Sequence, residues 1–333
     1  MLMNLSNLMF LLFLVLSSML AISSNSWVIS WMGLEMNLFF FIPLMKTYNN
    51  NMTSEFIMKY FIIQAISSAN LMLMVTLTHL LSESTLTLFM ININFTLLLK
   101  LGSAPFHLWY INIIESLSWM NFLLISTWQK IAPLILLSYF LNSYFLFVFS
   151  AFNCIIGSIG GMNQLYLRKL MAFSSINNTG WMFSAFMISE TLWSFFFFLY
   201  SFMLLSISVA FKLINLSNMN QLMYIKINKF YTILILLNFL SIGGIPPMIG
   251  FLPKWMIINA LISLQPLLTL ILIITSLINL FFYFRLMYPI FMLNSISMKS
   301  MLTPYSIYSY FPALALNLPI FSMIFCMMIF YIY

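Results

Sequence analysis

The sequence predicts an all-α polytopic membrane protein of about eleven transmembrane helices, arranged as inverted repeats with two broken helices. Three observations predict it. Charges are too scarce to cover a water-exposed surface: of 333 residues, 63% are hydrophobic and 5% are charged, with a mean hydropathy of +1.07. Apolar segments long enough to cross a bilayer recur along the chain. Two of those segments carry Gly and Pro near their centres, one in each half.

The candidate spans, in order, are 3–22, 25–44, 57–80, 86–109, 121–140, 145–163, 170–189, 192–213, 230–257, 264–288 and 310–331. The chain starts Met-Leu-Met-Asn-Leu-Ser, with neither the basic n-region of a secretory signal nor the arginines of a transit peptide, so the first segment is expected to remain as a span. The second carries Glu35, the fourth Lys100, the fifth Lys130 and the ninth Lys254. Loops are short, and a single membrane domain over 1–333 is expected. Within it, 3–140 forms a first repeat unit and 145–288 a second, and 289–333 supplies a C-terminal loop and the last span.

Loop charge supports this count. With eleven spans, Lys46 and Lys59, Arg168 and Lys169, Lys226 and Lys229, and Lys299 fall on one side, whereas Glu83 and Glu190 fall on the other. The asymmetry follows the positive-inside rule and puts the N-terminus on the positive side. Losing or adding one span would scramble it.

Composition also excludes function classes. There is no Asp and there are five acidic residues in all, so a soluble catalytic or nucleotide-binding domain has no room. The net charge of +7 comes from twelve scattered basic residues, with no patch that would suit nucleic acid. Cys154 and Cys326 are too few for an iron–sulfur cluster and suggest no zinc site. Neither a GxGxxG nor a Walker loop is present. The bias towards Phe, Leu, Ile, Met, Asn, Ser and Tyr resembles the output of an AT-rich organellar genome.

The candidate chemistry lies inside the spans. Gly-Ser-Ala-Pro at 102–105 and Gly-Gly-Ile-Pro at 243–246 align with an offset of 141 residues and lie five spans apart, so they cross the membrane in opposite directions. Paired broken segments in two halves point to an inverted repeat with a transport site. Lys130 lies about ten residues from either end of its span, roughly 15 Å of helix, too far for its side chain to snorkel. A central lysine costs about 2.5–3.5 kcal/mol on insertion. It is expected to face the bundle interior, as a reversible proton carrier or as a structurally paired charge. Lys100 precedes the first break, where unwound backbone can face water. His107 follows it, as a proton relay or a satisfied structural group. A mid-depth Glu35 needs a cation, and Lys100 or Lys130 are at hand; the pair is either switchable or static. Lys254 follows the second break, so the charge falls differently in the two halves. Lys212, Arg285 and Glu115 read as interfacial anchors. Gly157 and Gly161 have the spacing of close helix packing. Ser174, Ser175, Asn177 and Asn178 either hydrate a path or bond between helices.

Six stretches, Asn25–Asn37, Leu99–His107, Thr127–Pro133, Gly157–Gln164, Leu167–Asn177 and Gly243–Trp255, together resemble the subunit 2 family of mitochondrial NADH dehydrogenase, antiporter-like membrane-arm subunits of respiratory complex I. The style of the sequence resembles that of insects. The resemblance implies eleven spans, two inverted five-helix units and proton pumping in the mitochondrial inner membrane, with the N-terminus on the matrix side. By motif, Glu35 would match the family's glutamate, Lys100 the broken-helix lysine, Lys130 the central lysine and Lys254 the lysine of the second broken helix. It further implies that NADH, FMN, iron–sulfur clusters and ubiquinone belong to partner subunits, with membrane lipid and other membrane-arm subunits as neighbours and no nucleic acid. A stand-alone cation/proton antiporter of the same fold and a pure assembly scaffold are the rival expectations. The chain after about residue 290 carries no motif of the family.

Overall fold

The structure, a computed structural model, describes residues 5–46, 51–78, 86–219, 221, 229–246 and 248–296. Among these residues the chain is almost wholly helical: α1 Leu5–Ser23, α2 Trp27–Met45, α3 Asn51–Thr78, α4 Leu86–Leu101, α5 Leu108–Ser116, α6 Trp119–Ser126, α7 Trp128–Ser138, α8 Ser143–Gly161, α9 Leu167–Phe186, α10 Glu190–Ile214, α11 Lys229–Gly243, α12 Phe251–Leu264 and α13 Pro266–Ile296. None of the described residues forms a strand; an isolated bridge pairs Tyr166 with Asn218. Seven described stretches are long and apolar enough to cross a membrane, with α6 and α7 together forming one of them. The expected span at 310–331, Glu83, Lys226, Lys299 and Cys326 lie outside the described residues.

Local sequence explains the helix ends. Ser26, Ser118 and Ser189 precede α2, α6 and α10, and each Oγ accepts from the backbone N–H three residues on, the standard N-cap bond. Glu190 follows its cap into the positive end of the α10 dipole. Within the helices, Ser17, Ser67, Ser150, Ser174 and Ser184 return their hydroxyls to the carbonyl three residues back, at 2.7–2.9 Å. This satisfies the hydroxyl proton within the helix itself.

The chain forms two compact units, Met1–Leu146 and Phe147–Tyr333. In the first, α2 packs between α1 and α3, α3 meets α4 and α5, and α7 meets α1 and α4. Gly33 permits the α1–α2 approach, since a Cβ there would stand 2.7 Å from the Ala21 backbone nitrogen. In the second, α10 packs on α9, α11 and α12, and α13 on α9, α11 and α12. Gly157 of α8 faces α9, where a Cβ would lie 2.6 Å from the Asn177 nitrogen, and Gly161 faces α13, where a Cβ would lie 3.0 Å from the Phe282 ring. Large apolar side chains point outward, Leu5, Leu108 and Phe198 among them at 67–82% exposure. A surface of this kind suits hydrocarbon rather than water.

The fifth expected span runs over Trp119–Ser138 with Lys130 near its middle, as expected, but its helix is interrupted at Thr127 (φ −118°, ψ −74°), so Lys130 lies in the first turn of α7. Pro133 supplies the physical reason. It lacks the N–H that would bond the Gln129 carbonyl, and its ring crowds that carbonyl, so the turn before it is displaced. Thr127 donates to Leu123 O twice, from its N–H at 3.0 Å and from Oγ1 at 2.6 Å.

Candidate functional site

Both broken segments end their first half in the same way. At the end of α4, Gly102 has φ +64°, its N–H donates to Leu99 O at 3.2 Å, and Ser103 N–H donates to Leu98 O at 3.2 Å. At the end of α11, Gly244 has φ +82°, its N–H donates to Ser241 O at 3.1 Å, and Ile245 N–H donates to Leu240 O at 3.3 Å. These are Schellman caps, which place a left-handed residue just past the helix, where glycine carries no Cβ penalty. Pro105 and Pro246 follow two or three residues on and stop the helix from resuming at once. The equivalent residues are thus Gly102 and Gly244, not Gly102 and Gly243; the register between the breaks shifts by one from the sequence alignment.

A helix that stops inside a membrane frees carbonyls, and the two breaks satisfy theirs differently. Around α4, neutral side chains do it: Trp109 Nε1 donates to Leu99 O at 3.1 Å and Gln64 Nε2 donates to Lys100 O at 3.3 Å. Around α11 a charge does it. The Lys254 ammonium, 7% exposed, donates to Gly243 O at 3.0 Å and Ile242 O at 3.2 Å, and stands 5.8 Å from the Trp181 ring centre. The negative end of the α11 dipole and the ring face both favour that cation.

Lys100 and Lys130 come together at one cavity inside the first unit. The clear space in it is about 20 Å³, room for about one water. Both lysines line it with Asn37, Tyr60, Gln64, Trp109, Tyr110 and Gln129. They are 8% and 2% exposed. The Lys130 ammonium lies 4.9 Å from the centre of the Tyr110 ring, within cation–π range. The clear space admits water rather than a bulky solute, and its polar lining gives water partners. The helix dipoles differ at the two lysines: Lys100 sits at the carbonyl end of α4, and Lys130 at the N–H end of α7.

Glu35 stands beside this cavity rather than in it. Half-buried on α2, it is bonded to the Ser68 hydroxyl, and Lys100 is within its electrostatic reach without a direct ion pair. The Ser68 hydroxyl is also 2.9 Å from Ala65 O. One hydroxyl carries one proton, so the two bonds are alternatives. With Glu35 ionised, Ser68 donates to it. With Glu35 protonated, the acid can donate to Ser68 and the serine proton turns to Ala65. The site therefore accepts Glu35 in either state. Two residues on, Asn37 faces a different helix and accepts from Gln129 Nε2 at 3.0 Å.

His107 does not line the cavity. It is the residue before α5, and its Nδ1 lies 3.1 Å from Pro105 O. Of the interfacial residues, Arg285 donates to Met162 O at 2.6 Å from an exposed position, Lys212 is exposed in the last turn of α10, and Glu115 is half-buried in the last turn of α5. Ser174 and Ser184 each donate to a carbonyl of their own helix, at 2.8 and 2.7 Å. The Asn177 amide is buried with no hydrogen-bond partner among the described residues, as is Asn238 Nδ2. Among the described residues no group of three or more His, Cys, Asp or Glu side chains could hold a metal ion.

Sequence reading did not single out Asn37, Tyr60, Gln64, Tyr110 or Gln129. A signal existed for Gln64, the one glutamine of α3, three and four residues before Ser67 and Ser68. For Tyr110 there was none beyond its place after the break.

Buried lysines at helix breaks, inside a bundle with an apolar exterior, define a class: polytopic membrane proteins whose interior handles charge. Residues 24–279 match the family described as NADH:quinone oxidoreductase/Mrp antiporter, TM. The chain is 46% identical over 298 residues to the NADH-ubiquinone oxidoreductase chain 2 of Anopheles gambiae and 43% identical over 298 residues to that of Aedes aegypti, covering 87% of each chain in both cases. Its fold matches a chain of respiratory complex I from Thermus thermophilus with a TM-score of 0.84 at 19% identity, over 97% of this chain and 78% of that one. The chain belongs to the NADH-ubiquinone oxidoreductase chain 2 family.

Proposed function

We propose that this chain is a core membrane subunit of NADH:ubiquinone oxidoreductase, respiratory complex I, and that it carries protons across the mitochondrial inner membrane while partner subunits bind NADH, FMN, iron–sulfur clusters and ubiquinone. Membership of the chain 2 family supports the assembly. The observation that carries the proton path is the shared cavity, in which two buried lysines face the same polar space.

In this reading Glu35, Lys100, Lys130 and Lys254 carry the path, and His107, outside the cavity, is at most peripheral. A change of charge at Glu35 alters the field at Lys100, and the cavity passes the proton between Lys100 and Lys130. Lys254, held by the carbonyls of the second break, exchanges with one aqueous side. The occurrence of one cap geometry in each half supports two repeats, 3–140 and 145–288, of inverted topology. The positive loops support an N-terminus in the matrix. Other membrane-arm subunits and lipid cover the apolar exterior.

Replacing Lys130 with Met in the assembled complex tests the reading. The expected result is NADH oxidation that continues with fewer protons pumped per electron. An unchanged proton-to-electron ratio overturns it. A mature complex that forms without this chain, read from native gels, overturns the assembly.

A further inference from the structure

Tyr110 occupies a place that none of the charged residues explains. It is 1% exposed, sits in the first turn of α5 just beyond the first break, and presents its ring to the Lys130 ammonium at 4.9 Å. Its other side lies on the break itself. A Cβ added to Gly102 would stand 2.7 Å from the Tyr110 Cβ and 3.0 Å from its Cγ. The Trp109 indole beside it donates back across the break to Leu99 O. One side chain thus touches the left-handed hinge residue and the central lysine together.

We propose that Tyr110 is a positioning residue that transmits the geometry of the first break to Lys130. The proposal rests on the proton-path reading above. Its chemistry is a cation–π contact. The ring face attracts an ammonium and has no such attraction for a neutral amine. In the arrangement seen here the ring therefore favours the charged lysine. The chain passes from α4 to α5 through the break, and the Trp109 bond to Leu99 O spans it, so a change of φ and ψ around Gly102 that releases this bond turns α5 against α4 and draws the ring off the ammonium. Lys130 then gives up its proton more readily to the cavity. The contact proposed to carry the effect is that of the ring face.

Aromatic and non-aromatic replacements separate this role from simple packing. In the assembled complex, Tyr110→Phe keeps the ring and is expected to retain the wild-type proton-to-electron ratio. Tyr110→Leu and Tyr110→Met keep much of the volume without the ring. They are expected to assemble, to oxidise NADH and to lose the protons that Lys130→Met loses, with no further loss when combined with it. If Tyr110→Leu or Tyr110→Met assembles with an unchanged ratio, the proposal is wrong. It is also wrong if Tyr110→Phe assembles and neither non-aromatic variant does, since the ring is then structural. If Lys130→Met itself leaves the ratio unchanged, the proton-path reading fails first, and this inference falls with it.

Discussion

The Lys254 ammonium donates to the carbonyl of Gly243 at 3.0 Å, so the lysine that follows the second break closes the helix that precedes it. Lys100 has no counterpart of this bond; Gln64 and Trp109 attend to the carbonyls at its break. The two lysines therefore differ in kind. One is held by the break, and the other faces a cavity beside it.

From this difference follows a split between charge and capping at Lys254. Lys254→Gln keeps a donor and loses the charge, whereas Lys254→Met loses both. Each buried carbonyl left without a donor costs about 1–3 kcal/mol. Lys254→Met is expected to lower the amount of assembled complex on native gels. Lys254→Gln is expected to assemble well and to pump poorly. Equal assembly of the two variants would show that the carbonyl bonds do not matter to the fold.

The hinge glycines differ in a second way. Alanine at either position adopts a left-handed conformation at about 1–2 kcal/mol. At Gly244 the new methyl meets the Lys254 Nζ at 2.9 Å, the far end of a flexible chain. At Gly102 it meets the Tyr110 Cβ at 2.7 Å, close to backbone that cannot yield. Gly102→Ala is expected to reduce the thermal stability of the assembled complex more than Gly244→Ala, read as the temperature at which the complex dissociates. The reverse order would contradict the packing described for Tyr110.

How far the site could be read in advance depends on what breaks a pattern. Lys100, Lys130 and Lys254 stand out because a charge in an apolar run is rare. The breaks stand out because glycine and proline cannot continue a helix. Asn37, Gln64 and Gln129 did not stand out, for a reason specific to membranes. Both the outward and the inward faces of these helices are apolar, so periodicity does not mark which face turns inward. The interruption at Thr127 was hidden because its cause, Pro133, lies six residues downstream. The paired glycines 243 and 244 left a one-residue ambiguity that only φ resolves.

The Asn37–Gln129 bond joins the helix of Glu35 to the helix of Lys130 and can be measured by itself. A neutral side-chain bond of this sort contributes on the order of 0.6 kcal/mol within a membrane, up to about 1.7. A double-mutant cycle with Asn37→Leu and Gln129→Leu, read as dissociation temperature, is expected to show coupling of that size. Additive effects would mean that the two residues line the cavity independently.

Ser68 gives the sharpest test of whether Glu35 changes state during turnover. Its single hydroxyl proton serves either Glu35 or Ala65 O, so the serine suits both the ionised and the protonated acid. Ser68→Ala removes that accommodation while leaving every lysine in place. Ser68→Thr retains a hydroxyl and can rebuild the bond to the carbonyl behind it. The alanine variant is expected to assemble, to oxidise NADH and to pump fewer protons per electron, and the threonine variant to recover most of the loss. Infrared difference spectra of the working complex should carry a carboxylic-acid band that Glu35→Gln abolishes and Ser68→Ala shifts. If that band is absent in the wild type, Glu35 holds one protonation state throughout, and its bond to Ser68 is a static anchor for α2 on α3.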